Sequence, residues 1–580
     1  MRVAISFPPF ESKKGIPLLS QNRQYQVFST RESSGGGVTG LLNKFVGNNA
    51  TVIFPLLPAH AATLLSLHGH EVAWLDGIAE GWDWEEYCRQ VELARPELML
   101  IETKTPSSRP IYNAITNLKA RFPHMRIVLV GDHITAFPEE PFLYCNVDYT
   151  MRGGQFDFAL LNLVNFLSGK EDLASGVFWN DCGTFKNSGP MPNPPTYAQT
   201  PPHIDRELVH WKLYAYRNGN FLKTPGTYGW AIGSTGGDCW WRRPVSGGPT
   251  HGGGGCTFCS WTSFLPTFSV RPVEDYLDEL EGLAAMGIKE VFDDTGTFPT
   301  GRWLKKFCAG FRERGLHKVL MMGCNMRADA LTRAEYEMLA ESNFRFILYG
   351  IESSNQRSLD MLNKGTTPQQ QRDSLKWASE AGLEPHATIM MGYPWETYEE
   401  AKQTVDQAGE WFSRGWINTL QGTIVIPYPG TQLYAQARQN HWLRFDGPDN
   451  WHRFDMREPV LTSLAEPDEI LGLVQSLYTS FLTPKYLMRK AKDVVKSRAH
   501  FQYYVVRGSK YLVGHLLDFR KGQTPEATAA GPATGVADLP VELYTAGGST
   551  ASVPVDLISS KLEPAVMASA EQVPDGVSRL

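Results

Sequence analysis

Three of the eight cysteines in this 580-residue chain fall in one glycine-rich segment, Cys239-Trp240-Trp241 followed by Gly252 to Gly255 and then Cys256-Thr257-Phe258-Cys259. A Cys-x-x-Cys pair turns two thiolates toward one metal centre, and adjacent glycines permit the tight backbone that a buried cluster imposes. Sixteen residues separate Cys239 from Cys256. Three thiolates leave one iron of a [4Fe-4S] cluster without a protein ligand, and a chelating cosubstrate could occupy that open site. Zinc is the rival occupant, because His251 lies between Cys239 and Cys256 and would complete a Cys3His tetrahedron. The other cysteines, Cys88, Cys145, Cys182, Cys308 and Cys324, are scattered and read as structural.

The elements that must position these thiols read as two α/β units. Over residues 1–170, short apolar runs alternate with helix-like segments, the pattern of a doubly wound parallel sheet. Strands are expected at Val3 to Phe7, Glu71 to Leu75, Leu98 to Glu102, Ile127 to Val130 and near Asp148 to Met151. Ligands of such folds sit beyond the carboxyl ends of the strands. The loops there are Pro8-Pro9, Thr103 to Ser108, Gly131-Asp132-His133 and Arg152-Gly153-Gly154. Residues 171–225, rich in Pro, Asn and Gly, read as a connector with local turns. Residues 226–440 return to strand and helix alternation in longer units, with strands expected at Tyr228 to Gly233, Val291 to Asp293, Val319 to Gly323, Phe346 to Gly350, Thr388 to Gly392 and Leu420 to Ile426. Six such units make a partial (βα)6 barrel, whose site lies at the carboxyl ends of its strands. The cysteines then occupy the loop after the first barrel strand, where a closed structural zinc site has no reason to be. Residues 441–520 read as mainly helical. Residues 521–580 are dominated by small and polar types, the composition of a disordered tail.

Composition narrows the partners. A net charge of −6 with no basic stripe argues against nucleic acid. No run approaches the roughly 20 apolar residues of a membrane span, and the start lacks a secretory pattern, so a reducing cytoplasm is the expected setting.

These residues resemble the radical SAM superfamily, and residues 1–455 resemble its cobalamin-binding branch. The superfamily's usual Cys-x-x-x-Cys-x-x-Cys would place its first cysteine at Gly252. Cys-Trp-Trp followed at longer range by Cys-Thr-Phe-Cys is similar to a wider-spaced form in members that mature peptides, which assigns the cluster to Cys239, Cys256 and Cys259. Phe292-Asp293-Asp294-Thr295 sits where the family's second strand ends, which would turn Asp294 toward S-adenosylmethionine (SAM) or substrate; the same residues also suit plain turn capping. Tyr349-Gly350-Ile351-Glu352-Ser353, followed by Leu362-Asn363-Lys364-Gly365, resembles the motif whose Glu contacts SAM, so Glu352 takes that role. Arg327, after the third strand, would pair with a carboxylate of SAM, or form a surface salt bridge. Met391 to Thr397 and Pro427 to Thr431 resemble the fifth and sixth strand ends. In the first unit, Thr103, Gly131, His133 and Gly153 stand on loops that resemble the branch's cobalamin loops. The Asp-x-His-x-x-Gly motif that supplies a lower cobalt ligand elsewhere is absent, so His133 is placed at the cofactor without being assigned to cobalt.

The resemblance implies an α/β fold with a Rossmann-like cobalamin domain before a radical SAM barrel, and three cofactors: a [4Fe-4S] cluster, SAM and cobalamin. It also implies an electron donor of flavodoxin or ferredoxin type and a small-molecule or peptide substrate. Methylation of an unactivated carbon is the leading expectation. Ring closure or oxidation, as in anaerobic tetrapyrrole cyclases, is the alternative, and a zinc-stabilised cobalamin-binding protein without catalysis is a third.

Overall fold

The computed structural model describes residues 1–9, 54–190, 202–215, 230–233, 239–242, 255–260, 269–456 and 458–480, with single positions at 484, 486, 488 and 491. Two sheets organise them. The first runs in the order β2-β1-β3-β4-β5-β6-β7, with β1 Arg2–Phe7, β2 Glu71–Asp76, β3 Leu98–Glu102, β4 Arg126–Val130, β5 Tyr149–Met151, β6 Val177–Asp181 and β7 Thr184–Asn187. Strands β1 to β5 pair in parallel. Alternate side chains feed opposite layers: Leu98, Leu100, Val128 and Val130 pack toward the helices Leu56–Leu67 and Asp157–Leu167. Met99, Ile101, Ile127 and Leu129 pack toward Trp84–Ala94 and Ser108–Arg121. Burial on both faces explains why these strands read as continuous apolar runs.

The stretch expected as a connector departs from that expectation. Strands β6 and β7 form an antiparallel hairpin that extends the first sheet. Its two-residue loop has Cys182 at φ 51° and Gly183 at φ 89°, the left-handed pair that a tight hairpin turn requires. Farther on, Tyr214 enters the core and donates to Asp76 Oδ2 at 2.5 Å while accepting from Trp74 Nε1 at 2.9 Å.

The second sheet is all parallel, in the order β13-β12-β11-β10-β9-β8, with β8 Trp230–Gly233, β9 Glu290–Asp293, β10 Met321–Met326, β11 Phe344–Glu352, β12 Glu384–Met391 and β13 Thr419–Ile424. Strands neighbouring in sequence are neighbours in space, as in the wall of an open barrel. Ile347, Tyr349 and Ile351 pack into the helical outer layer, whereas Phe346 and Leu348 join the core of the first unit. Thr332, Thr367 and Thr397 open barrel helices with capping boxes closed by Glu335, Gln370 and Glu400, each satisfying amides that the first turn leaves orphaned. At β13 the helix Pro467–Ser480 covers the open edge, where Tyr478 Oη accepts from Gly422 N at 2.9 Å and donates to Gly422 O at 2.8 Å. Most of residues 481–520 and the whole tail 521–580 lie outside the described residues. None of the described helices is long and apolar enough to cross a membrane.

The two units are tied at their strand ends. Glu140, buried after β4, accepts from Tyr112 Oη at 3.1 Å and from Trp451 Nε1 at 3.0 Å, and lies 3.0 Å from His133 Nε2. Trp451 also stacks on Phe137 with centroids 5.6 Å apart.

Candidate functional site

At the carboxyl end of the barrel, Cys239 follows β8 and stands 3.1 Å from Thr297 Oγ1 in the loop after β9. Cys256 and Cys259 follow at the end of the glycine-rich segment, whose residues 243–254, including His251 and Gly252, lie outside the described ones. The cysteine turn is anchored on both sides: Thr257 N donates to Leu362 O at 3.0 Å, and Leu433 N donates to Thr257 O at 2.8 Å. No disulfide joins any of the three. Burial pushes the Cys256 thiol above its ordinary range; Lys364 and Arg327 act against that, while Glu352 and Cys239 add to it. Two cations beside the thiols suit a ligand set that must ionise to bind metal. Among the described residues no three Cys, His, Asp or Glu side chains already stand close enough to share one ion, so the grouping rests on the loops that carry the thiols.

Glu352 ends β11, and its local geometry accounts for the residues before it. The register with β12 shifts between Gly350 and Glu352, and Glu352 adopts φ 63°, so its carboxyl leaves the strand alternation and folds back. A Cβ on Gly350 would lie 2.5 Å from Glu352 Oε1 and 2.8 Å from Lys364 Nζ, so any side chain there would push this pair out of its present place. Lys364 Nζ donates to Glu352 Oε1 at 2.9 Å, and both side chains are buried. Sequence reasoning quoted Lys364 without giving it a role; its pairing depends on a bulge that no spacing rule reveals. Tyr393 was not singled out either. It is fully buried near Glu352 and Cys256, and its hydroxyl has no hydrogen-bond partner among the described residues. Thr257 Oγ1 is likewise unpartnered. Buried hydroxyls are normally satisfied, so these two, with the Glu352 carboxylate, fit a polar ligand such as SAM.

Of the neighbouring acids, Asp293 takes the turn-capping role foreseen for this segment. Asp293 Oδ1 accepts from Thr295 N at 3.1 Å, a turn cap. Asp294 meets Asn325 Nδ2 at 3.4 Å. Burial pushes the Asp294 carboxyl up to about 7; the Asn325 bond opposes this and Asp293 adds to it. A carboxyl raised in the folded chain stays protonated where the unfolded chain ionises, so it lowers stability progressively from about pH 4 upward until it ionises in the fold as well. Asp294→Asn is therefore expected to melt close to the parent at pH 4 and increasingly above it between pH 5 and 7. A melting difference that stays constant across this range would contradict the assignment.

Arg327 is buried and is held by protein partners through Nε and Nη2. Asp329 takes Nε and Nη2 at 3.0 Å each, Lys364 O accepts from Nη2 at 2.6 Å, and the guanidinium lies 4.3 Å from the centre of the Trp241 ring. It is not a surface ion pair, and its edge is already committed to protein partners.

In the first unit Thr103, Gly131 and Gly153 come together at the strand ends. Gly131 has φ 113° and crosses so close to Thr103 that any Cβ would overlap its carbonyl oxygen. Thr135 Oγ1 donates to Gly131 O at 3.0 Å and accepts from Gly153 N at 3.0 Å, stitching the loops after β4 and β5. The small residues and close backbones at this crossing fit a cofactor held by loops beside the strand-order reversal between β1 and β3. His133 is fully buried, with Nδ1 3.2 Å from Thr105 Oγ1 and Nε2 on Glu140. Both of its nitrogens are occupied within the protein, and its place is in the tie between the units.

Residues 251–408 match the Radical SAM superfamily. Over 466 residues the chain is 27% identical to an uncharacterized methyltransferase of Pyrococcus horikoshii, an alignment covering 78% of this chain and 93% of that protein. Its fold is shared with TsrM from Kitasatospora setae, a radical S-adenosylmethionine methyltransferase solved with cobalamin and a [4Fe-4S] cluster, at a TM-score of 0.58, 16% identity, and coverage of 80% of this chain and 96% of that one. It is also shared with OxsB, a cobalamin-dependent S-adenosylmethionine radical enzyme solved with aqua-cobalamin and S-adenosylmethionine, at a TM-score of 0.60, 12% identity, and coverage of 89% and 72%. The matched segment begins within the cysteine loop and runs along the parallel barrel wall, so the Radical SAM likeness falls on the elements that carry Cys256, Cys259 and Glu352.

Proposed function

We propose that this chain is a cobalamin-dependent radical SAM enzyme that methylates an unactivated carbon of a small-molecule, lipid, pigment or peptide substrate. One observation carries the reading: Cys239 and Cys256 share the barrel mouth with the Lys364–Glu352 pair. The names of the similar proteins support methyl transfer as the outcome. Bound together, the cluster and SAM supply hydrogen abstraction from carbon, and cobalamin supplies the methyl group.

The chain's own residues have separable tasks. Cys239, Cys256 and Cys259 hold the cluster. Glu352 accepts hydrogen bonds from the ribose hydroxyls or amino group of SAM. Asp294, poised near neutrality, can hold or release a proton at the barrel mouth. The backbone at Thr103, Gly131 and Gly153 lines the cobalamin site. An electron donor of flavodoxin or ferredoxin type and a cytoplasmic setting complete the proposal.

Anaerobic purification and reconstitution with iron and sulfide should give about four irons per chain, and addition of SAM with a reductant should yield 5'-deoxyadenosine. Tightly bound zinc without iron would overturn the reading. With a turnover substrate, S-adenosylhomocysteine selects methyl transfer over ring closure.

A further inference from the structure

Cys239 is separated from Cys256 by sixteen residues, so short motif spacing cannot hold these two thiols together. The loop Leu362-Asn363-Lys364-Gly365 touches both arms of the excursion. On the Cys239 arm, Trp241 Nε1 donates to Asn363 O at 2.7 Å. On the other arm, the Asn363 side-chain amide donates to Gly255 O at 2.7 Å, and Leu362 O accepts from Thr257 N at 3.0 Å. Asn363 adopts φ 51°, and Gly365 φ 69°, left-handed conformations that Asn and Gly tolerate best. The Trp241 ring lies so close over Gly365 that any Cβ there would overlap it. Arg327 closes the other side, 4.3 Å from the centre of the same ring, while donating to Lys364 O at 2.6 Å. Trp241 is thus seated by Asn363, Gly365 and Arg327, against the same loop whose Leu362 and Asn363 grip the Cys256 turn.

We propose that the loop Leu362–Gly365 is a template that brings Cys239 to the Cys256–Cys259 pair by seating Trp241, with Asn363, Gly365 and Arg327 as positioning residues for the third cluster ligand. This rests on the reading of these three cysteines as the cluster ligands. The pairing with Arg327 gives Trp241 a cation–π contact in addition to its packing. Sequence spacing alone therefore understates how well Cys239 is placed.

The test is site-resolved alkylation of the full-length, iron-free protein with iodoacetamide under anaerobic conditions, read by peptide mass spectrometry. The buried thiols Cys88, Cys308 and Cys324 act as internal reporters of global opening. In Gly365→Ala, Cys239 should react about tenfold faster than in the parent, as local opening of one loop predicts, with the three reporters unchanged. After reconstitution the visible absorbance of the cluster should fall with iron content. Asn363→Gly keeps the carbonyl that receives Trp241 and the left-handed backbone but removes the amide on Gly255, so Cys256 should accelerate more than Cys239. Unchanged Cys239 reactivity in Gly365→Ala, or a rise shared equally by the reporters, would overturn the template. Parent protein that takes up no iron, combined with selective release of Cys239 in Gly365→Ala, would sink the cluster reading and leave the template standing.

Discussion

Cys239→Ala is expected to abolish the iron–sulfur cluster and to lower 5'-deoxyadenosine formation by about three orders of magnitude or more, since a cluster left with two protein thiolates is not retained. The variant is the sharpest probe of the site because Cys239 is the proposed ligand that sequence spacing supports least. Cys256 and Cys259 share one anchored turn, whereas Cys239 arrives from the end of β8 beside Thr297. Cys182→Ser, at the exposed hairpin turn of the first sheet, should retain full iron content and serves as the control. Iron and sulfide analysis together with the visible spectrum reads the outcome. An intact, SAM-cleaving cluster in Cys239→Ala would mean that the third ligand lies elsewhere.

Removal of Lys364 should produce the largest loss of stability of any single change at the barrel mouth. Burial alone would lower the pKa of Lys364, but the charges of Glu352 and Cys256 outweigh it and hold the ammonium above its ordinary range. Lys364→Met strands the Glu352 carboxylate, only 6% exposed, without its partner. Breaking a buried pair in this way costs about 3–5 kcal/mol, whereas replacing both partners is far milder. The melting temperature of Lys364→Met should accordingly fall by several degrees, and Glu352→Gln combined with Lys364→Met should recover most of that loss. Equal losses in the single and double variants would show that the pair is not coupled. Glu352→Gln alone separates the roles: its defect should appear in SAM affinity, measured by calorimetry.

The strands were legible because parallel strands buried on both faces are written as apolar runs, and every one expected over residues 1–170 is present within one or two residues of its reading. The β6–β7 hairpin was not, because its short Val177–Asp181 run sits in a stretch whose overall Pro and Asn content masks the Cys182-Gly183 turn. Among the candidate site residues, Glu352 was singled out through resemblance, but its pairing with Lys364 follows from a register shift that emerges only once β11 and β12 pair. For Arg327 the sequence leaves a ligand contact and a surface salt bridge open; its buried pairing with Asp329 and its contact with Trp241 depend on a loop docking across the barrel mouth. Trp451 gave no signal at all, since its partner Glu140 lies 311 positions away. Local patterns report burial and turns, while long-range polar pairing is set by tertiary closure.

The carboxylate of Glu140 has a consequence for how this protein could be recombined. It receives Tyr112 from its own unit and Trp451 from the segment beyond the barrel, with His133 beside it. An N-terminal unit grafted from a relative would bring its own residue at the Glu140 position to a fixed indole, and a mismatch would bury an orphaned donor at the seam. Chimeras should therefore be cut so that the 132–140 loop and the 448–453 segment travel together, although more than 300 residues, the whole barrel among them, lie between the two. The exchangeable module of this architecture is discontinuous in the chain.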